Sequence, residues 1–142
     1  MRILFFFAAV VTISLTGCKK RGCTDSTATN YCQKCKEDDG TCAYDVNGLW
    51  SGSSSGNTWT MTLHQSGTTV SGSGIFDFGF KDTINISGKL EGGDVLKLVL
   101  DRQNCTFLTK VKGRIMQGTY SANGCFLCSG FYNNGDVYGT KK

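Results

Sequence analysis

Thr58-Trp59-Thr60-Met61-Thr62-Leu63-His64 places large apolar side chains at every second position and polar ones between them. In an extended chain successive side chains point to opposite faces. Trp59, Met61 and Leu63 therefore share one side, and Thr58, Thr60, Thr62 and His64 the other. That is a strand of a sheet with one buried face. The same period continues outward. Val70, Phe76, Phe78 and Phe80 share a face, with Gly72 and Gly74 between the first two; Ile84, Ile86 and Leu90 follow, then Leu96, Leu98 and Leu100. Ser66-Gly67, Glu91-Gly92-Gly93-Asp94, Asn123-Gly124 and Asn133-Asn134-Gly135-Asp136 separate the runs. Asn and Gly accept the positive φ of tight hairpins. The pattern predicts about eight strands, near residues 48–53, 57–66, 69–78, 82–90, 94–101, 105–112, 114–121 and 125–139, the last taken with its end strand.

Short hairpins in series make an antiparallel meander, and a meander this long protects its edges by closing on itself. The predicted fold class is thus all-β: an antiparallel meander forming a small closed or nearly closed barrel, with a β-sandwich as the alternative. An eight-stranded barrel is either filled by its own side chains or holds one small ligand. Trp50, Trp59, Phe76, Phe78 and Phe80 are the candidate ligand-lining residues, although a small barrel fills itself and a packed core is the favoured reading of the same aromatics.

Ahead of this domain the chain changes character. Arg2 is followed by an apolar run from Ile3 to Leu15, then Thr16-Gly17-Cys18. As a helix rising about 1.5 Å per residue, that run spans roughly 20 Å, short of the roughly 30 Å hydrocarbon core. The length suits a cleaved signal peptide. Leu15-Thr16-Gly17-Cys18 resembles the lipobox of bacterial lipoproteins: an aliphatic residue, two small residues and a cysteine. The resemblance implies cleavage before Cys18 and lipidation of its thiol, so that the protein meets the membrane through an N-terminal lipid anchor. The alternative is an ordinary signal peptide, with Cys18 left for a disulfide. Lys19 stands where lipoproteins retained at the inner membrane carry Asp, and no acidic surface-export run follows. The resemblance therefore implies an outer-membrane anchor on the periplasmic face, with the cell surface second.

Removal of residues 1–17 also removes Arg2 and takes the formal net charge from +4 to +3. No dense Lys/Arg stripe follows Arg21, so no nucleic-acid partner is expected. The 19 glycines and absence of proline suit a β protein with many turns or tight backbone packing. Lys19-Lys20-Arg21 forms a basic tether within residues 18–22. Beside an acyl anchor it suits anionic headgroups at about 1 kcal/mol per cation, and it suits a solvated spacer equally.

With Cys18 lipidated, seven cysteines remain: Cys23, Cys32, Cys35, Cys42, Cys105, Cys125 and Cys128. In an exported chain they read as disulfides, and the odd number leaves one thiol over. A pairing of Cys105 with Cys125 or Cys128 would tie neighbouring strands late in the meander, and the spacing leaves open which one is spare. These two lie three apart, so in a regular strand they face opposite sides.

Residues 23–44 form a separate Cys- and Asp-rich element before the β domain at 45–142. Gly22-Cys23-Thr24-Asp25-Ser26-Thr27-Ala28-Thr29-Asn30-Tyr31, followed by Glu37-Asp38-Asp39-Gly40-Thr41-Cys42-Ala43-Tyr44, resembles a short module of exported proteins in gliding Gram-negative bacteria. That module reads G-C-T-D-P-x-A-x-N-Y and then D-D-G-S-C-x-Y. Here Ser26 replaces its Pro, and Cys32-Gln33-Lys34-Cys35 replaces its middle. So short a segment cannot bury enough surface to fold alone. A Cys23–Cys42 bridge would close a loop of about 20 residues, worth roughly 3 kcal/mol, with Cys32–Cys35 as a small local ring. Zinc at the four cysteines and calcium at Asp25, Glu37, Asp38 and Asp39 are alternatives. Export favours oxidation and only one C-x-x-C pair is present, against zinc, and the acids do not match an EF-hand loop, so no metal or other cofactor is expected. No βαβ pattern surrounds Cys32-x-x-Cys35 to make a thioredoxin-type pair.

Gly48-Leu49-Trp50 resembles the G-x-W start of lipocalin-like barrels, and Val70-Ser71-Gly72-Ser73-Gly74 and Ile86-Ser87-Gly88 share the texture of small bacterial barrels of that kind. The resemblance implies binding of a small apolar molecule. No catalytic motif accompanies it: His64 is the only histidine, on a polar strand face, and no nucleophile elbow, metalloprotease or phosphate-loop pattern occurs. The sequence therefore reads as a non-enzymatic, lipid-anchored envelope protein. Its first role is binding a small apolar ligand; the alternative is a structural or interaction module whose partner is another envelope protein.

Overall fold

A computed structural model describes residues 19–77, 81–101, 105–122 and 134–142. Eight antiparallel strands close into a barrel in chain order: β1 (Gly48–Ser54), β2 (Asn57–Ser66), β3 (Thr69–Asp77), β4 (Lys81–Glu91), β5 (Val95–Leu100), β6 (Cys105–Lys112), β7 (Ile115–Ala122) and β8 (Asn134–Lys141). Closure is made by β1 against β8, in register from Trp50 opposite Lys141 to Ser54 opposite Val137. The sandwich alternative is thereby overturned: a single sheet joins its own edges and leaves none to protect. β8 runs to Lys141, two residues beyond its expected end, because those residues complete the pairing with β1. Cys18, Phe78, Phe80, Cys125 and Cys128 lie outside the described residues.

The alternation seen in the sequence is the alternation of burial. β2 turns Trp59, Met61 and Leu63 inward; β5 turns Leu96, Leu98 and Leu100; β6 turns Cys105, Phe107, Thr109 and Val111. Glycines mark where the strands coil most sharply. A Cβ on Gly52 would strike the carbonyl oxygen of Tyr138 and the indole of Trp59. Gly72, Gly88 and Gly118 face the carbonyls of Thr62, Lys97 and Leu108 in the same way. Such bends let a small sheet close, and only a residue without a side chain permits the approach.

The Cys-rich element is docked on one end of the barrel. Cys23, Ala28 and Tyr44 are buried in the same core as the barrel's inward residues. The Tyr44 N–H donates to Gly93 O in the β4–β5 turn at 2.9 Å, and Thr27 packs on Gly113 in the β6–β7 turn. Val46 then plugs the entrance, fully buried, with its N–H donating to Gln65 Oε1 at 3.0 Å. The element thus caps the end that carries the β2–β3, β4–β5 and β6–β7 turns. The β1–β2 turn lies at the other end.

Candidate functional site

Three of the candidate ligand-lining residues can be placed, and all point into the barrel. Trp50, Trp59 and Phe76 are buried. They do not form one group. Trp50 sits toward the cap, where its indole N–H donates to Val46 O at 2.9 Å. Trp59 and Phe76 lie toward the opposite end with two residues the sequence reading passed over, Phe107 and Tyr120. Ring centroids are 6.4 Å apart for Trp59 and Phe76, 6.1 Å for Trp59 and Phe107, 5.9 Å for Phe76 and Phe107, and 6.3 Å for Phe107 and Tyr120. Tilted and edge-on pairs at this spacing are the arrangement that aromatic quadrupoles favour. Period two along Cys105-Thr106-Phe107 was the available signal for Phe107.

This aromatic end holds two buried polar atoms without partners. Trp59 Nε1 and Ser54 Oγ make no hydrogen bond among the described residues, although both residues are about 2 % exposed or less. A buried donor left unpaired costs about 1–3 kcal/mol. Other inward polar groups are satisfied: Thr109 Oγ1 donates to Leu96 O at 3.3 Å, and Tyr120 Oη donates to Ser55 Oγ at 3.1 Å.

Cys105 carries a free, buried thiol. The expected disulfide from Cys105 is not formed. Its side chain belongs to the inward face of β6, opposite Leu100 and Ala122, inside the packed barrel. Burial pushes the thiol up to about 11, so it stays protonated and unreactive at neutral pH.

The four cysteines of the element pair as Cys23–Cys42 and Cys32–Cys35. Cys23, Asp38 and Cys42 lie together, but the disulfide between the two sulfurs leaves no thiolate to bind zinc. The acids behave as turn residues. Asp25 Oδ1 accepts from the Thr27 N–H at 2.9 Å and hydroxyl at 2.7 Å, and Oδ2 accepts from Tyr44 Oη at 2.9 Å. Asp38 accepts from the N–H groups of Thr24 and Gly40 and from the Thr24 hydroxyl. Asp39 accepts from the Thr41 hydroxyl and N–H. The Thr27 hydroxyl above all holds Asp25 below the usual carboxylate range; the Thr24 N–H does so for Asp38, and the Thr41 hydroxyl for Asp39. Their oxygens are committed to the loop and do not converge on a common point as calcium ligands would. Burial, followed by the bond to Asp25, pushes Tyr44 up to about 12.

A cleft of about 560 Å³ separates the element from the β6–β7 side of the barrel, with Asp25 and Asp38 on one wall and Lys110 and Lys112 on the other. His64 is exposed on β2, as its strand face requires. Among the described residues no helix is long and apolar enough to cross a membrane. No protein-family model matches the chain, and no curated protein matches it in sequence.

Proposed function

We propose that this is a non-catalytic, lipid-anchored envelope protein, held to the outer membrane through Cys18, whose barrel binds a small apolar molecule at its aromatic end. The observation that carries the binding reading is the unpartnered indole N–H of Trp59, buried among Phe76, Phe107 and Tyr120 beside the unpartnered hydroxyl of Ser54. Two orphaned donors in an aromatic shell suit a ligand that is mostly hydrocarbon and carries one carbonyl or hydroxyl oxygen. The lipobox supports the anchor, and the two disulfides suit a chain that matures in an oxidising compartment.

Binding is tested by titrating the oxidised protein with 2-octanone and with n-octane, read by tryptophan fluorescence and native mass spectrometry. The ketone is expected to bind roughly fivefold tighter, the worth of one net hydrogen bond, and Trp59→Phe to erase that preference. Absence of both complexes at millimolar probe would overturn the reading. The anchor is tested separately. Labelled palmitate should attach to the wild-type chain and not to Cys18→Ala, which should leave the membrane fraction.

The interaction-module reading has its own support. Leu49 and Ile75 stand about half exposed, at 47 % each, on either side of a shallow outer groove floored by Thr60, Thr62, Ser73 and Thr83. A protein partner there would cover apolar surface that a monomer leaves wet.

A further inference from the structure

The fold sorts the charges of the Cys-rich element onto two sides. Arg21 and Glu37 form a parallel bridge, the Gly22 N–H donates to Glu37 O at 3.1 Å, and the Lys36 N–H donates to Lys20 O at 3.0 Å. These bonds lay the basic tether beside the segment carrying Lys34 and Lys36. The Cys32–Cys35 disulfide holds that segment down, directly over Gly22. A Cβ at Gly22 would come within 2.7 Å of Cys35 Sγ. Lys19, Lys20, Arg21, Lys34 and Lys36 are all exposed on this ribbon. Its one acid, Glu37, is paired with Lys19 at 3.0 Å. Asp25 and Asp38 line the cleft shared with Lys110 and Lys112, and Asp39, exposed, accepts from Thr41.

The barrel repeats this polarity along its axis. Strand ends and turns at the capped end carry Lys89, Lys112, Arg114, Lys141 and Lys142 against Asp45, Glu91 and Asp94, with Lys141 paired to Asp45. Among the described residues, strand ends and turns toward the opposite rim carry Asp77, Asp101 and Asp136. The basic end is the one from which the chain runs back to position 18.

We propose that the ribbon of residues 19–22 and 34–37 is a contact surface for anionic lipid headgroups, and that it stands the barrel on its capped end with the aromatic end directed away. The orientation rests on the anchoring at Cys18 proposed above; the headgroup contact does not. Tether cations alone sit on a flexible lead. The bridge between Arg21 and Glu37 adds Lys34 and Lys36 to them on a stapled scaffold, so five cations, of which Lys19 is paired with Glu37, meet the surface without being ordered at the moment of contact.

The test uses the chain from Lys19 onward, oxidised and without a lipid, because all the described contacts lie within it. Partition is measured on phosphatidylcholine vesicles with and without roughly one-third phosphatidylglycerol, at low and high salt. Binding should require the anionic lipid and weaken with salt. Lys34→Gln with Lys36→Gln should lower partition roughly 30-fold, while Lys81→Gln with Lys97→Gln should change it less than roughly twofold. Equal partition onto neutral vesicles would overturn the proposal. So would an equal loss from the two double variants, because that is the response of total charge and not of a surface. Acyl mass on the intact protein is read independently. Vesicle binding without acylation would sink the anchor and keep the contact surface; acylation without vesicle binding would do the reverse.

Discussion

The two tryptophans inside the barrel have the same burial and opposite circumstances. Trp50, toward the capped end, gives its N–H to Val46 O, and the carbonyl it occupies belongs to the segment that joins the element to β1. Trp59, toward the other end, has no such partner among the described residues. The difference runs through both regions. At the cap, backbone and side-chain groups of the element are tied to one another or to the barrel's turns: Tyr44 N–H to Gly93 O, Val46 N–H to Gln65 Oε1, Lys141 Nζ to Asp45 at 3.1 Å. At the aromatic end, large rings surround two polar atoms that the described chain does not satisfy. A closed end is built for stability, and an end with orphaned donors is where a ligand gains most from supplying an oxygen.

That contrast is broken most severely at the staple. Replacing Cys23 and Cys42 together by Ser releases a loop of about 20 residues and should cost roughly 3 kcal/mol in urea unfolding. It also removes a buried sulfur from the shared core. The corresponding change at Cys32 and Cys35 opens a ring of only about four residues, worth about 2 kcal/mol on the same entropic argument. The bonds from Cys32 to Cys23 O and from Lys36 to Lys20 O should keep its backbone in place. If the two double variants lose equal stability, the longer Cys23–Cys42 loop is not the main staple of the cap.

The tryptophans sharpen the comparison at smaller scale. Trp50→Phe leaves Val46 O buried without a donor and should cost about 2 kcal/mol beyond the lost ring area. Trp59→Phe removes a donor that was already unpaired, so its cost should be limited to the lost area, about 1 kcal/mol. Chemical denaturation of the two variants side by side measures the difference. Equal losses would mean that Trp59 finds a partner in solution and that the aromatic end is as closed as the other.

Much of the barrel was legible in period two alone, because each strand carries one wet and one buried face. Most strand limits follow from Trp59-x-Met61-x-Leu63 and its repeats, while the choice of barrel over sandwich rests on the β1–β8 pairing, which alternation does not encode. The cap was not legible. The element binds the barrel through main-chain groups of turns nearly fifty residues downstream, such as Gly93, and main-chain pairing leaves no mark in composition. Its acids were readable as turn formers: Asp25-x-Thr27, Asp38-x-Gly40, Asp39-x-Thr41 and Asp45-x-Asn47 share the spacing at which a carboxylate accepts from the residue two ahead. The aromatic site was half legible, since Trp59 and Phe76 were singled out while Phe107 was passed over in a strand whose alternation begins with a cysteine. Which thiol stands over was not legible, because counting cysteines ignores direction: that of Cys105 is free and faces the interior.

The smallest expected effect concerns how the cap responds to pH, and its sign differs at the two ends of the scale. Asp25, Asp38 and Asp39 are held below their ordinary range by hydroxyl and amide donors. Their contribution is complete above the unfolded carboxylate range, near pH 4, and is lost as pH falls through the depressed folded values. All three are exposed to water, so the acid loss should be slight. Tyr44 works in the other direction. Folding raises it from 10 to about 12, so its contribution is complete below pH 10 and disappears as pH rises through about 12. Ionisation there sets a phenolate against the Asp25 carboxylate it had served as donor. Urea midpoints of wild type should therefore fall between pH 10 and about 12, and those of Tyr44→Phe, lower at neutral pH by the worth of one hydrogen bond, about 1 kcal/mol, should fall less steeply. Parallel curves for the two proteins would show that the Tyr44 hydroxyl does not brace the element through Asp25, and the cap's cohesion would then rest on its disulfides and main-chain bonds.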